Sequence, residues 1–136
     1  MPLNIPQTNQ KRVIIIGAGF GGLQLAQSLS GNEDFQVVLI DKNNYHQFQP
    51  LFYQVATAGI EPSAISFPLR LAFHNHENIH VRVACVTKII SETNVVETNL
   101  GEISYDYLVI AIGADTNFFG NQNIAEKSLP DRKSVV

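Results

Sequence analysis

The sequence predicts an α/β fold: a parallel sheet that starts with a βαβ unit and carries a small antiparallel β excursion further along. Three observations carry that reading. The apolar run Val13-Ile14-Ile15-Ile16 leads directly into Gly17-Ala18-Gly19-Phe20-Gly21-Gly22. A second apolar run over residues 36–40 ends in Asp41. A third, Tyr107-Leu108-Val109-Ile110-Ala111-Ile112, stops at Gly113. Strand, glycine turn, helix, strand and acid, in that order, are the layout of a Rossmann-like dinucleotide-binding unit.

Taken in order, residues 1–10 read as a flexible lead-in. Residues 13–17 form the first strand. A helix follows over 20–29, with Leu23, Ala26 and Gln27 spaced along one face and Gly31 as its stop. Residues 36–40 are the second strand. The segment 43–59 is less regular and mixes polar with aromatic residues. Residues 62–64 and 68–74 read as helical pieces, each opened by a proline at its first turn. Residues 80–86 alternate like a strand. Residues 88–104 read as an antiparallel excursion, with turns at Thr93-Asn94 and Asn99-Leu100-Gly101. The run over 107–112 reads as a buried strand.

Each residue of the first motif has a mechanical task. Gly17 lets the chain turn sharply out of the strand. Gly19, with no side chain, lets a pyrophosphate approach the backbone. Gly22 lets the helix pack closely. The helix N-terminus then offers unpaired N–H groups and a partial positive charge to the phosphates. Asp41 can accept hydrogen bonds from a ribose hydroxyl. The competing reading makes the glycines packing devices and Asp41 a solvated strand end, but it has to explain all four positions at once. The strand that ends in Ala111-Ile112-Gly113 brings bare backbone toward the first turn, as the far wall of a cleft at the carboxyl ends of the strands.

Composition narrows the classes. A chain of 136 residues, 45% hydrophobic and 15% charged, suits one domain whose sheet is covered on both faces. A net charge of −3 carries no nucleic-acid footprint. No run of about eighteen apolar residues is present to cross a membrane, and the polar first twelve positions do not read as a signal peptide. The single cysteine, Cys85, excludes an internal disulfide and reads as a small buried apolar residue in a reducing compartment. His74, His76 and His80 have a spacing that could hold zinc, but no carboxylate or thiol joins them in a suitable pattern. A solvated turn is the expectation, and no metal site.

Residues 13–41 and 105–113 resemble the flavoprotein oxidoreductases built from two dinucleotide-binding domains. The stretch over 41–59, with His46-Gln47-Phe48-Gln49-Pro50-Leu51-Phe52-Tyr53-Gln54-Val55-Ala56 at its centre, narrows the resemblance. Together with Thr116-Asn117-Phe118-Phe119-Gly120 it is similar to the N-terminal part of the type II NADH:quinone oxidoreductases, the non-electrogenic NADH dehydrogenases.

That resemblance implies a Rossmann-like FAD-binding domain. Gly17, Gly19 and Gly22 contact the FAD pyrophosphate. Asp41 holds the adenosine ribose, with Lys42 beside the adenine end and Val86 holding adenine through its backbone. Ala111 and Gly113 close over the cofactor, although Ile112 stands where relatives usually carry threonine. Pro50 and Leu51 lie near the isoalloxazine ring. Gln54, where many relatives carry glutamate, lies near the quinone path with Tyr53. Gln54 is a poor proton donor, so Tyr53 and His46 are the alternatives for a relay. His46 reads first as a loop histidine capping a backbone group.

The resemblance also implies that NADH binds a domain further along the chain and that a membrane quinone accepts the electrons without proton pumping. The parent protein would sit on the cytoplasmic side of the cell membrane as a peripheral protein, with a homodimer as its assembly. Residues 11–130 would then be a partial, C-terminally truncated FAD-binding domain, and residues 131–136 a non-native tail. By itself such a piece would be inactive and would bind FAD weakly. A sulfide:quinone reductase-like flavoprotein remains as an alternative. So does a plain NAD-binding module, against which the 88–104 excursion and the strand ending at Gly113 argue.

Overall fold

The computed structural model describes residues 3–114 and 117–127. The chain divides into two units, one of residues 1–46 and 68–112, the other of residues 47–67 and 113–136. Thr116 and the tail over 131–136 lie outside the described residues.

In the first unit, β1 (Lys11–Ile16) and β2 (Phe35–Asp41) are rich in Val and Ile, side chains that fit a pleated, half-buried surface. They pair in parallel with Val13 opposite Val37 and Ile16 opposite Ile40. Parallel neighbours need a crossover, and α1 (Phe20–Ser28) supplies it. β5 (Ile79–Val83) joins the far side of β2, and β9 (Tyr107–Ile110) joins the far side of β1. The sheet order is therefore β5-β2-β1-β9, all parallel.

Alternation along these strands builds two cores. Val13, Ile15, Val37, Leu39, Ile79 and Val81 face one side, where Leu23 and Ala26 of α1 and Leu69 of α3 (Leu69–Ala72) cover them. Ile14, Ile16, Val38 and Ile40 face the other side. There β6 (Val86–Ile90), β7 (Val95–Thr98) and β8 (Gly101–Ser104) form an antiparallel meander that lays Val96 and Ile103 against the sheet. Burying apolar side chains on both faces contributes about 25 cal/mol per Å² removed from water, which is why the middle of each central strand, Val13–Ile16 and Val37–Ile40, is wholly apolar. The fold and the antiparallel excursion agree with the sequence reading.

Several expectations are corrected. First, the strand expected over 80–86 is two strands. β5 ends at Val83, and the chain turns at Ala84 and Cys85 before β6 begins at Val86. Asn99 locks that turn: its Oδ1 accepts the Cys85 N–H at 2.8 Å, and its own N–H donates to the Cys85 carbonyl at 3.0 Å. Second, Cys85 is consequently exposed rather than buried. Third, β9 is a sheet edge, not a buried strand: Tyr107 is 53% exposed and Ile110 59%. Fourth, the described part of the lead-in is anchored. Leu3 is buried in the second core, the Arg82 guanidinium donates to the Leu3 and Asn4 carbonyls, and Gln36 Nε2 donates to the Pro6 carbonyl at 2.8 Å. On α1, Gln27 is exposed, and Gly22 takes its place on the buried face beside Leu23 and Ala26.

Short strands β3 (Tyr45–Gln47) and β4 (Ser66–Pro68) lie where the chain enters and leaves the second unit. Within that unit, Pro50 opens a 3-10 turn (Gln49–Leu51) that runs into α2 (Phe52–Ala56). The Gln54 carbonyl caps α2 by accepting the Gly59 and Ile60 N–H groups at 2.7 and 3.2 Å. A 3-10 turn (Pro62–Ile65) follows, and the Phe48 N–H donates to the Ile65 carbonyl at 2.8 Å. The last described element is α4 (Gln122–Lys127).

Candidate functional site

The carboxyl ends of β1 and β2 meet at the glycine turn. The Gly17 N–H donates to the Ile40 carbonyl at 2.8 Å, and the Ala111 N–H donates to the Ile16 carbonyl at 2.7 Å. Gly17 has φ +100, a backbone conformation that L side chains rarely adopt. A methyl group there would also run into the Ala111 carbonyl. At Gly22 a methyl group would collide with the Gly17 carbonyl oxygen and come within 3.2 Å of Ile15 Cγ2. Both glycines are therefore demanded by the protein's own packing.

Gly19 differs. Its φ is −69, an ordinary value, and a methyl group built on it meets nothing within 4 Å. Its N–H donates to no group among the described residues, while its carbonyl accepts the Leu23 N–H at 2.9 Å and starts α1. Nothing in the chain requires a glycine there. Open space beside an unpaired N–H at a helix N-terminus is a cradle for an anion, and a Cβ would occupy it. The residues present thus fit the diphosphate of a dinucleotide.

Beside the turn lies a cleft of about 380 Å³ lined by Gly17, Asp41, Lys42, Cys85 and Val86, with Ile16, Ile40 and Ile89 as its apolar wall. Ligand pockets run from about 300 to 1,000 Å³, so the cleft has room for a nucleoside. A larger cavity of about 600 Å³ runs beside Leu3, His80 and Arg82. It holds none of the motif residues, so the smaller cleft is the candidate site.

Asp41 is more heavily engaged than its sequence role implied. Its Oδ2 accepts the Ala18 N–H at 2.7 Å, and its Oδ1 accepts the Asn43 N–H at 2.8 Å. It ties the end of β2 to the glycine turn from the lip of the cleft, and each oxygen retains a second lone pair for a ribose hydroxyl. His46 is buried, and its Nδ1 bonds the Ala18 carbonyl at 2.8 Å. A carbonyl only accepts, so Nδ1 carries the proton. The capping reading of His46 matches this geometry.

The first unit thus brings together Gly17, Asp41, Lys42 and Val86 around the cleft, with Ala111 packed on Gly17 and with Gly19 and Gly22 at the helix start. Pro50, Leu51, Tyr53, Gln54 and Gly113 belong to the second unit. There Tyr53 is 65% exposed on α2, Gln54 is also exposed, and Gly113 has φ +73. Sequence reasoning passed over Asn99, whose only signal was its place in a turn, and Cys85 as a cleft residue. His74 Nδ1 bonds the Leu71 carbonyl at 2.7 Å and His76 Nδ1 the Ser30 hydroxyl at 2.5 Å, so the two histidines are engaged separately. Among the described residues no group of three His, Cys, Asp or Glu side chains is placed to hold a metal ion, and no helix is long and apolar enough to cross a membrane.

A parallel sheet with a glycine turn and a cleft at its carboxyl end is the architecture of the dinucleotide-binding folds. The profile of the pyridine nucleotide-disulphide oxidoreductases matches residues 11–133, and the chain belongs to that family. It is 41% identical over 128 residues to the type II NADH:quinone oxidoreductase Ndh of Mycobacterium tuberculosis, covering 91% of this chain and 27% of that protein. Among solved structures, the sulfide:quinone oxidoreductase of Aquifex aeolicus is 33% identical with a TM-score of 0.70, covering 79% of this chain and 25% of its own. NDH2 from Plasmodium falciparum in complex with NADH is 24% identical with a TM-score of 0.79, covering 93% and 28%, and shares the fold. The chain spans about a quarter of the length of these relatives.

Proposed function

We propose that this chain is the N-terminal FAD-binding part of a flavoprotein that oxidises NADH and reduces a membrane quinone without pumping protons. The observation that carries the reading is Gly19: a glycine that the protein's own packing does not need, at a helix N-terminus, with open space where a diphosphate fits. The 41% identity to a type II NADH:quinone oxidoreductase supports the choice of reaction.

In this reading Gly17, Gly19 and Gly22 shape the turn that binds the FAD pyrophosphate, and Asp41 holds the adenosine ribose while bracing the turn. Lys42 and the Val86 backbone flank the adenine. Ala111 and Gly113 line the cofactor, the contact resting on backbone atoms because Ile112 has no hydroxyl. Pro50 and Leu51 form an apolar platform for the flavin, and Tyr53 and Gln54 face the quinone. When bound, FAD would supply the redox chemistry of NADH oxidation and quinone reduction. NADH binds a domain outside residues 1–136, and attachment to the cytoplasmic face of the membrane, as well as a homodimer, are made by segments outside them too.

The test is flavin content and turnover. A polypeptide of the relatives' length that carries this chain should purify with FAD absorbing near 450 nm and should oxidise NADH with a quinone as acceptor. The 136-residue chain alone should bind FAD weakly and show no turnover. A colourless long form that binds NAD at the glycine turn would replace the reading with a plain NAD-binding module. The likeness to the Aquifex sulfide:quinone oxidoreductase favours one other reading: a flavin-loaded protein that is idle with NADH but oxidises sulfide would establish it.

A further inference from the structure

Two successive peptide groups at the tip of the glycine turn are each clamped by a side chain. The Ala18 N–H, which belongs to the 17–18 peptide, donates to Asp41 Oδ2 at 2.7 Å. The Ala18 carbonyl, which belongs to the 18–19 peptide, accepts from His46 Nδ1 at 2.8 Å. In a trans peptide the C=O and the following N–H point in opposite directions. Holding the Ala18 carbonyl against His46 therefore aims the Gly19 N–H away from the imidazole, and Gly19 itself leaves open space where a side chain would stand. The same geometry at the 17–18 peptide turns the Gly17 carbonyl toward Gly22, where a methyl group would strike it.

We infer that His46 is a positioning residue for the pyrophosphate: it fixes the 18–19 peptide so that an N–H, and not a carbonyl oxygen, faces the anion. The inference rests on the FAD-binding reading and deepens it. If that peptide flips, the Ala18 oxygen points at the phosphates, an acceptor faces an anion, and the Gly19 donor is turned away. The imidazole is well held for the task. It is 4% exposed, and the Phe20 ring meets it edge-on, with centroids 5.2 Å apart at 80°. Phe20 is also the first residue of α1, so the group that orients the turn packs on the helix that supplies its dipole.

The experiment compares His46→Ala and His46→Asn in the full-length holoenzyme stripped of flavin, with FAD, ADP and adenosine as titrants. Asn replaces the Nδ1–H donor at a similar distance from the backbone. His46→Ala should raise the dissociation constants of FAD and ADP about tenfold, a loss of one donor-fixed hydrogen bond, and should leave that of adenosine unchanged, because adenosine carries no phosphate. His46→Asn should recover most of the loss. The inference is overturned if His46→Ala binds FAD as tightly as wild type, if it weakens adenosine as much as ADP, or if Asn fails to rescue a folded protein. The flavin content of the wild type separates the two claims. A wild type that takes up no FAD overturns the cofactor assignment and this inference with it, whereas a flavin-loaded wild type with an indifferent His46 variant overturns the inference alone.

Discussion

β2 and β9 flank the same strand, pair with it in the same parallel sense, and are both built mainly of apolar residues. Their fates differ. Every residue of β2 from Gln36 to Ile40 is buried, because β5 covers its outer side and both cores close over it. In β9 no residue is fully buried, and beyond the strand Ile112 is 70% exposed. The apolar content of a strand reports what it is built to be covered by, while its place in the sheet decides whether the cover is present. An uncovered apolar edge of this kind is an association hazard.

Substitutions can break or sharpen this contrast. The largest effect belongs where β9's continuation meets the glycine turn. Gly17→Ala forces a left-handed residue and a collision with the Ala111 carbonyl, and should cost about 3–5 kcal/mol in urea unfolding. A cost near zero would mean that the end of β9 does not sit on the turn in solution. Next comes Leu39→Ala in β2, fully buried, at about 2–5 kcal/mol.

Gly19→Ala should leave the unfolding free energy within about 0.5 kcal/mol while lowering FAD affinity about tenfold or more, a split that titration and unfolding read separately. Ile110→Ala on β9 should cost no more than about 0.5 kcal/mol, and Ile112→Lys should reduce self-association of the chain in light scattering. If Ile110→Ala proved as costly as Leu39→Ala, β9 would not be an edge.

The smallest effect is a pH dependence at the base of the same edge. Asp106, just before β9, accepts the Arg12 N–H at 2.7 Å and the Lys11 ammonium at 3.3 Å. The backbone hydrogen bond first, and the lysine after it, hold its carboxyl below the ordinary range. A group whose folded pKa is depressed stabilises above its ordinary pKa and loses that contribution as the pH falls through the folded value. The gap between wild type and Asp106→Asn should therefore be full at neutral pH and close on acidification below about 4. His80 on β5 titrates at a different point. Desolvation first, then Arg82 and Arg12, lower its pKa, so its unfolded form takes a proton first. Stability should start to fall as the pH drops below about 6.5, and His80→Gln should flatten that slope.

Sequence by itself determined the βαβ start, the order of the sheet-forming runs, the antiparallel excursion and the glycine-and-acid arrangement, because each is written in local terms: side-chain period, β-branched runs, and glycines where a turn needs them. It could also sort the tasks of Gly17, Gly19 and Gly22 in principle, but only the built turn separates the two glycines that packing demands from the one that is left open. Tertiary structure alone decided that β9 is an edge, that Cys85 is exposed, that Leu3 and Asn4 are pinned by Arg82, and that Asp41 and His46 clamp the N–H and the carbonyl of Ala18. These are contacts between residues distant in the chain, and no local pattern encodes which side chain a fold will bring to a given carbonyl.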